Sequence, residues 1–166
     1  VALVGAAGAR AVGLDILLDQ PTEPAKDARL AEALAAFPGE AVIAWADARA
    51  GMTEAQSAWL AQFLEASGAA PGFVNLRQDP DGVVRHHVSA LPGVEVPGFS
   101  AALTGARAPA GTGDIWRIDW RLTGAGTAQP FQKTPAHVIP LVAANPQILQ
   151  GWYQDRIVII GADLPQ

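Results

Sequence analysis

The chain has 166 residues, of which 50% are hydrophobic, so it is about one domain long and can bury a substantial core. Its formal net charge is −5, from 11 basic and 16 acidic residues spread along the sequence, which argues against the clustered Lys and Arg of a nucleic-acid-binding protein. The lack of cysteine excludes thiol catalysis, disulfides and cysteine-based metal sites.

The first half of the chain predicts strands that alternate with helices. In chain order, the pattern indicates a helix end at 1–7, a buried strand at 11–18, a helix at 24–37, a buried strand at 41–45 and a helix at 53–68. Thr53 and Gln56 have the spacing of a capping box, which marks the start of the last of these helices. Because helices connect the strands, we expect the strands to pair in parallel.

The second half predicts antiparallel strands and a final buried strand. It contains a hairpin around 79–82, alternating apolar and polar residues at 114–122, a short helix from Thr134 and a uniformly apolar strand at 156–160. Pro140 is expected to kink or end the short helix, and Asn145-Pro146 to stop what remains. The uniform run at 156–160 is expected in the middle of the sheet, beside the first two strands.

Together these elements predict an α/β fold of two or three layers. It is a layered sandwich with a mixed, largely parallel central sheet, helices packed on that sheet and an antiparallel hairpin extension. The strands near residues 14, 43 and 158 are expected to lie side by side and to run in the same direction.

The Asp-Pro-Asp-Gly sequence at 79–82 predicts a type I turn followed by a bulge at glycine. Counting outward from an Asp79–Val83 pair places Arg77 opposite Arg85. One face of the hairpin is then apolar and carries Val74, Leu76, Val84 and Val88. The opposite face is polar and carries Asn75, Arg77, Asp79, Arg85 and His87.

This polar face has two interpretations. Arg77 and Arg85 would repel each other unless an anion or a carboxylate, such as that of Asp79, lies between them. The face is therefore either an anion-recognising patch or a solvated surface with internal ion pairs, and the frequency of exposed ion pairs favours the second. His86 and His87 point to opposite faces, so they form a poor chelating pair, and His86 is expected to be a hydrogen-bonded core histidine.

Acidic residues recur where the buried strands end, at Asp15, Asp19, Asp47 and Asp163. Ligands of open parallel sheets bind outside the carboxyl ends of the strands, so these side chains predict a possible site for a cation or an amine. The alternative is that each aspartate caps a turn or a helix, as aspartate commonly does after a strand.

The sequence contains no nucleophile elbow, Walker loop or zinc-binding His-Glu-x-x-His helix. We therefore expect no catalytic residue, no metal site and no cofactor. One enzyme alternative stays open, a metal-assisted hydrolase that uses Asp15, Asp19, Asp163 and His137, and it requires these side chains to converge in a cleft.

Four segments resemble, in the expected order, the second type of CHASE domain, the sensory extracellular domains associated with cyclases and histidine kinases. They are residues 11–17 followed by 27–34, then 72–76 with 79–85, and finally 155–161. The most distinctive is Asp-Pro-Asp-Gly-Val-Val-Arg at 79–85, because it precedes an Ile-Val-Ile-Ile-Gly strand near the end of the chain.

The resemblance implies an extracytoplasmic sensory input domain of a bacterial transmembrane receptor, on the periplasmic side of the inner membrane. The output would be an adenylate or guanylate cyclase, a histidine kinase or a diguanylate cyclase. The signal would be an unidentified small molecule or protein, and the full-length receptor is expected to be a homodimer without nucleic-acid partners. The resemblance supplies no binding residues.

Residues 1–166 are expected to form one sensor domain that is a fragment, lacking its opening strand and helix and the tail after Gly161. The chain has no apolar run near the ~18 residues of a membrane span, so contact with the membrane is expected only through flanking segments. The alternative function is a periplasmic protein-interaction or dimerisation module. A continuous apolar surface that exposes Trp116, Trp120 or Trp152 would favour this alternative.

Overall fold

The computed structural model describes residues 1–105, 115–119 and 131–162. The helices are α1 (Ala2–Ala6), α2 (Pro24–Ala35), α3 (Glu54–Ser67), α4 (Phe99–Thr104), α5 (Val138–Leu141) and α6 (Pro146–Tyr153). The strands are β1 (Ala11–Asp15), β2 (Glu40–Trp45), β3 (Ala70–Phe73), β4 (Arg77–Gln78), β5 (Val84–Val88), β6 (Ile115–Arg117) and β7 (Ile157–Gly161).

Two sheets organise these elements, and they confirm the predicted α/β class. One sheet is wholly parallel in the order β3-β2-β1-β7, and the other is antiparallel in the order β4-β5-β6. Gly13 of β1 pairs with Val42 of β2 on one side and with Ile159 of β7 on the other. The three apolar segments near residues 14, 43 and 158 therefore lie side by side and run in the same direction, as predicted.

The position of β7 corrects the prediction that it lies in the middle of the sheet. It is the last strand of the described sheet, next to β1 only, and Ile159 is 60% exposed. Val158 and Ile160 pack against the main core, while Ile157 packs against a second cluster on the opposite face. Apolar residues therefore follow one another in β7 because both faces of this edge strand are partly covered.

Helices cover the two faces of the parallel sheet unequally. On one face, Val12 and Ile43 belong to a large core cluster to which α1, α2, α3 and α6 contribute. On the other face, Leu103 of α4 packs on Ala11 and Val42 in a smaller cluster. The body therefore has three layers where α4 crosses β1, β2 and β3.

The helix ends show which local signals were reliable. The capping box that opens α3 is confirmed: Thr53 Oγ1 accepts a hydrogen bond from the Gln56 backbone, and Gln56 Oε1 accepts one from the Thr53 backbone. The helix expected from Thr134 instead begins at Val138, and Pro140 lies just before its end. Pro146, which was expected to stop a helix, begins α6 because proline suits a first turn.

Among the described residues, no helix is long enough and apolar enough to cross a membrane.

Candidate functional site

The hairpin between β4 and β5 has the predicted turn. The Asp79 N–H donates to the Val83 carbonyl at 3.0 Å, and the Gly82 N–H donates to the Asp79 carbonyl at 2.8 Å. Gly82 has φ +79°, a left-handed conformation that favours glycine. The local sequence thus fixes the tip of the hairpin.

The register beyond the tip differs from the prediction. Gln78 pairs with Val84, but Arg77 pairs with His86, so Arg85 is an extra residue in β5 and the predicted Arg77–Arg85 pair is wrong. Leu76, which was predicted on the apolar face of the hairpin, is 73% exposed. A bulge releases Arg85 from a position opposite a like charge and lets it turn toward the carboxylates of the turn.

Arg85 forms ion pairs with two aspartates of the turn. Its guanidinium lies 3.0 Å from Asp79 Oδ2 and 2.8 Å from both carboxylate oxygens of Asp81. The hydrogen bonds from Arg85 lower the pKa of the Asp81 carboxyl, and the Asp81 carboxylate in turn raises the pKa of Arg85. Sequence reasoning anticipated Asp79 in this role but missed Asp81, although it stands four residues before Arg85.

The remaining predicted residues of the hairpin face have separate environments. Arg77 is exposed and has no ion-pair partner in the described parts of the chain. Asn75 Oδ1 is shielded from solvent and has no hydrogen-bond partner among the described residues. His86 Nδ1 lies 3.4 Å from Asp79 Oδ1, so His86 faces the ion-pair cluster rather than an apolar core.

His87 connects the small antiparallel sheet to α4. Its Nε2 lies 3.2 Å from Ser100 Oγ, and its ring packs edge-on against Trp116 of β6 with centroids 4.4 Å apart. Burial lowers the pKa of His87 below its ordinary value. Neither Ser100 nor Trp116 could be matched to His87 from the sequence, because the three residues are distant in the chain.

The lowered pKa of His87 predicts a pH-dependent stability. The unfolded chain takes up a proton on this ring more readily than the folded chain. The contribution of His87 to the free energy of unfolding is therefore complete above about pH 6.5 and decreases at lower pH. We expect the melting temperature to decrease between pH 7.5 and 5, and less so in His87→Gln. The matched control is His137→Gln, at an exposed histidine. An unchanged pH profile in His87→Gln would contradict this assignment.

Two of the acids at the strand ends, Asp19 and Asp47, are engaged by neighbouring side chains. Asp19 Oδ2 accepts a hydrogen bond from Gln56 Nε2 at 2.7 Å, and Asp47 caps the turn at 48–50 and pairs with Arg49 at 2.6 Å. Asp15 is exposed and lies beside Gly161 of β7, and Asp163 lies outside the described residues.

No group of three or more His, Asp or Glu in the described ranges could hold a metal ion. Asp15, Asp19 and His137 therefore do not form the centre that a metal-assisted hydrolase would require. Of the tryptophans whose exposure would indicate a protein interface, Trp116 and Trp152 are half-buried. Trp120 lies outside the described residues.

Comparison with known proteins identifies the family of the chain. No curated protein and no solved structure matches the chain. The CHASE2 domain family matches residues 1–166, the whole length of the sequence. The chain therefore belongs to the CHASE2 domain family, whose members are extracellular sensory domains of signalling receptors.

Proposed function

We propose that the chain is the extracytoplasmic input domain of a bacterial transmembrane receptor, on the periplasmic side of the inner membrane. The observation that carries this proposal is the CHASE2 match across residues 1–166. The cytoplasmic output would be an adenylate or guanylate cyclase, a histidine kinase or a diguanylate cyclase. Membership in a sensory family supports a non-catalytic role.

The proposed mechanism is a population shift. A small molecule or protein binds one arrangement of the domain better than another and so changes the orientation of flanking segments in a receptor homodimer. The small sheet meets the main body where His87 of β5 contacts Ser100 of α4 and where the Gly98 N–H, at the start of α4, donates to the Ser89 carbonyl just after β5. Such contacts are suited to a relative movement of the two sheets.

The ligand contacts that we propose lie in two groups. In the described part of the chain, the hairpin group offers a guanidinium at Arg77 without an ion-pair partner and a buried carbonyl oxygen at Asn75 without a hydrogen-bond partner. The proposed residues are Asn75, Arg77, Asp79, Arg85 and His87 in the hairpin group, and Asp15, Asp19 and Asp163 in the strand-end group.

Cysteine labelling in cells tests the proposed location, because the chain contains no native cysteine. Ser57 is exposed on α3, so Ser57→Cys in the full-length protein should react with a membrane-impermeant maleimide once the outer membrane is permeabilised. The reagent cannot cross the intact inner membrane, so we expect labelling only if this domain lies on the periplasmic side of that membrane.

Ser67→Cys is the matched control, since the same substitution then lies in a side chain that is 1% exposed. This variant should stay unlabelled until the protein is denatured, and the parent protein shows the background from other segments. Labelling of Ser57→Cys only after the inner membrane is lysed would contradict the proposed extracytoplasmic location.

A further inference from the structure

A row of basic side chains crosses the small antiparallel sheet. His86 of β5 pairs with Arg77 of β4 on one side and with Arg117 of β6 on the other. Residues that are directly paired in neighbouring strands point to the same face of a sheet, with Cβ atoms about 4.5–5.5 Å apart. These three residues therefore form one basic row, which sequence reasoning missed because Arg117 is distant from the hairpin in the chain.

The basic row faces away from α4. His87, the next residue of β5, is turned toward α4, where its Nε2 lies 3.2 Å from Ser100 Oγ. Successive side chains of a strand alternate between the two faces of a sheet, so His86 and its partners lie on the opposite face. Arg77 and Arg117 are exposed on that face. The basic row is therefore accessible to a ligand from solvent.

The two arginines of the row lack a counter-charge. Neither Arg77 nor Arg117 forms an ion pair with any residue that the structure describes. The two carboxylates of the turn, those of Asp79 and Asp81, are engaged by Arg85. Like charges in directly opposite positions destabilise a sheet. An anion bound across the row would relieve this repulsion.

His86 completes the row in its protonated form. Its Nδ1 is shielded from solvent, has no hydrogen-bond partner among the described residues and lies 3.4 Å from Asp79 Oδ1. A protonated ring donates from both nitrogens, so Nδ1 can serve Asp79 while Nε2 remains as a donor for an anion. The row can then offer two guanidinium groups and one imidazolium.

We propose that the small sheet binds a small dicarboxylate across the basic row, with one carboxylate at Arg77 and the other at Arg117. These residues are on the two strands that flank β5, so their backbones are roughly 10 Å apart, twice the spacing of neighbouring strands. A guanidinium group binds a carboxylate through two parallel hydrogen bonds, so two separated arginines match two separated carboxylates. This inference rests on the proposed function, names a ligand class for it and adds His86 and Arg117 to the hairpin group.

The test is a titration of the ¹⁵N-labelled chain with succinate, a small dicarboxylate, and with acetate and phosphate. The ionic strength is held constant, because salt screens exposed charges. We expect succinate to shift the backbone amide resonances of Arg77, His86 and Arg117 saturably and to bind more tightly than acetate or phosphate. Arg77→Gln and Arg117→Gln should each weaken succinate binding about fivefold, which is the upper range for one exposed ion pair.

Arg29→Gln is the matched control, because Arg29 is an exposed arginine on α2, outside the small sheet. This variant should bind succinate like the parent chain. Arg77→Gln and Arg117→Gln are expected to fold, since each removes a like charge from the row.

The proposal is overturned if the amide resonances of the row do not shift or if acetate or phosphate binds as tightly as succinate. It is also overturned if Arg29→Gln weakens binding as much as Arg77→Gln does. None of these results alters the labelling outcome in cells, so the two proposals fail separately.

Discussion

Replacing Ile43 with alanine is expected to lower the free energy of unfolding by about 2–5 kcal/mol. Ile43 is 0% exposed in β2, between β1 and β3, and it belongs to the core cluster that the helices cover. Alanine removes buried methyl and methylene groups and leaves a cavity that its neighbours in the sheet cannot fill by relaxing. The measurement is urea denaturation followed by far-UV circular dichroism.

The same substitution at Ile159 is the control. This side chain is in β7 of the same sheet but is 60% exposed, so Ile159→Ala should cost less than about 1 kcal/mol. The pair of variants holds the chemical change constant and varies only burial. Equal losses in both variants would contradict the sheet order, because β7 would then be as deeply covered as β2.

The sequence predicted β1 and β2 of the parallel sheet well because their signals are local, whereas β3 was not predicted. Apolar runs mark β1 and β2, and the capping box at Thr53 marks α3 through contacts within one helical turn. The location of β7 at an edge was not predictable, since an apolar run does not reveal which neighbour is missing. The short helix α4 was missed because its six residues carry no cap bond from a side chain and depend on packing against the sheet.

In the candidate sites, too, the features that depend on local sequence were predictable and those that depend on the folded structure were not. The turn at 79–82 could be predicted, because proline and a left-handed glycine determine its shape locally. The bulge at Arg85 could not, since it reflects a competition between strand pairing and ion pairing in the folded hairpin.

Gly39→Ala is expected to destabilise the chain by about 3 kcal/mol, since overpacking that moves backbone is costly. A Cβ atom at Gly39 would collide with the Arg10 carbonyl oxygen, where β1 and β2 begin their pairing. This neighbour is backbone, so relief requires the two strands to separate at their start. Phe37 closes another side at 3.3 Å.

The control for Gly39→Ala is Gly151→Ala, which should have the opposite sign. Gly151 is inside α6, and nothing lies within 4 Å of the Cβ that alanine would add. Alanine there should stabilise the chain by about 0.5–1 kcal/mol, because glycine loses more backbone freedom in a helix. Urea denaturation of both variants measures the contrast. If Gly39→Ala were neutral, β1 and β2 could not approach each other as closely as the sheet requires.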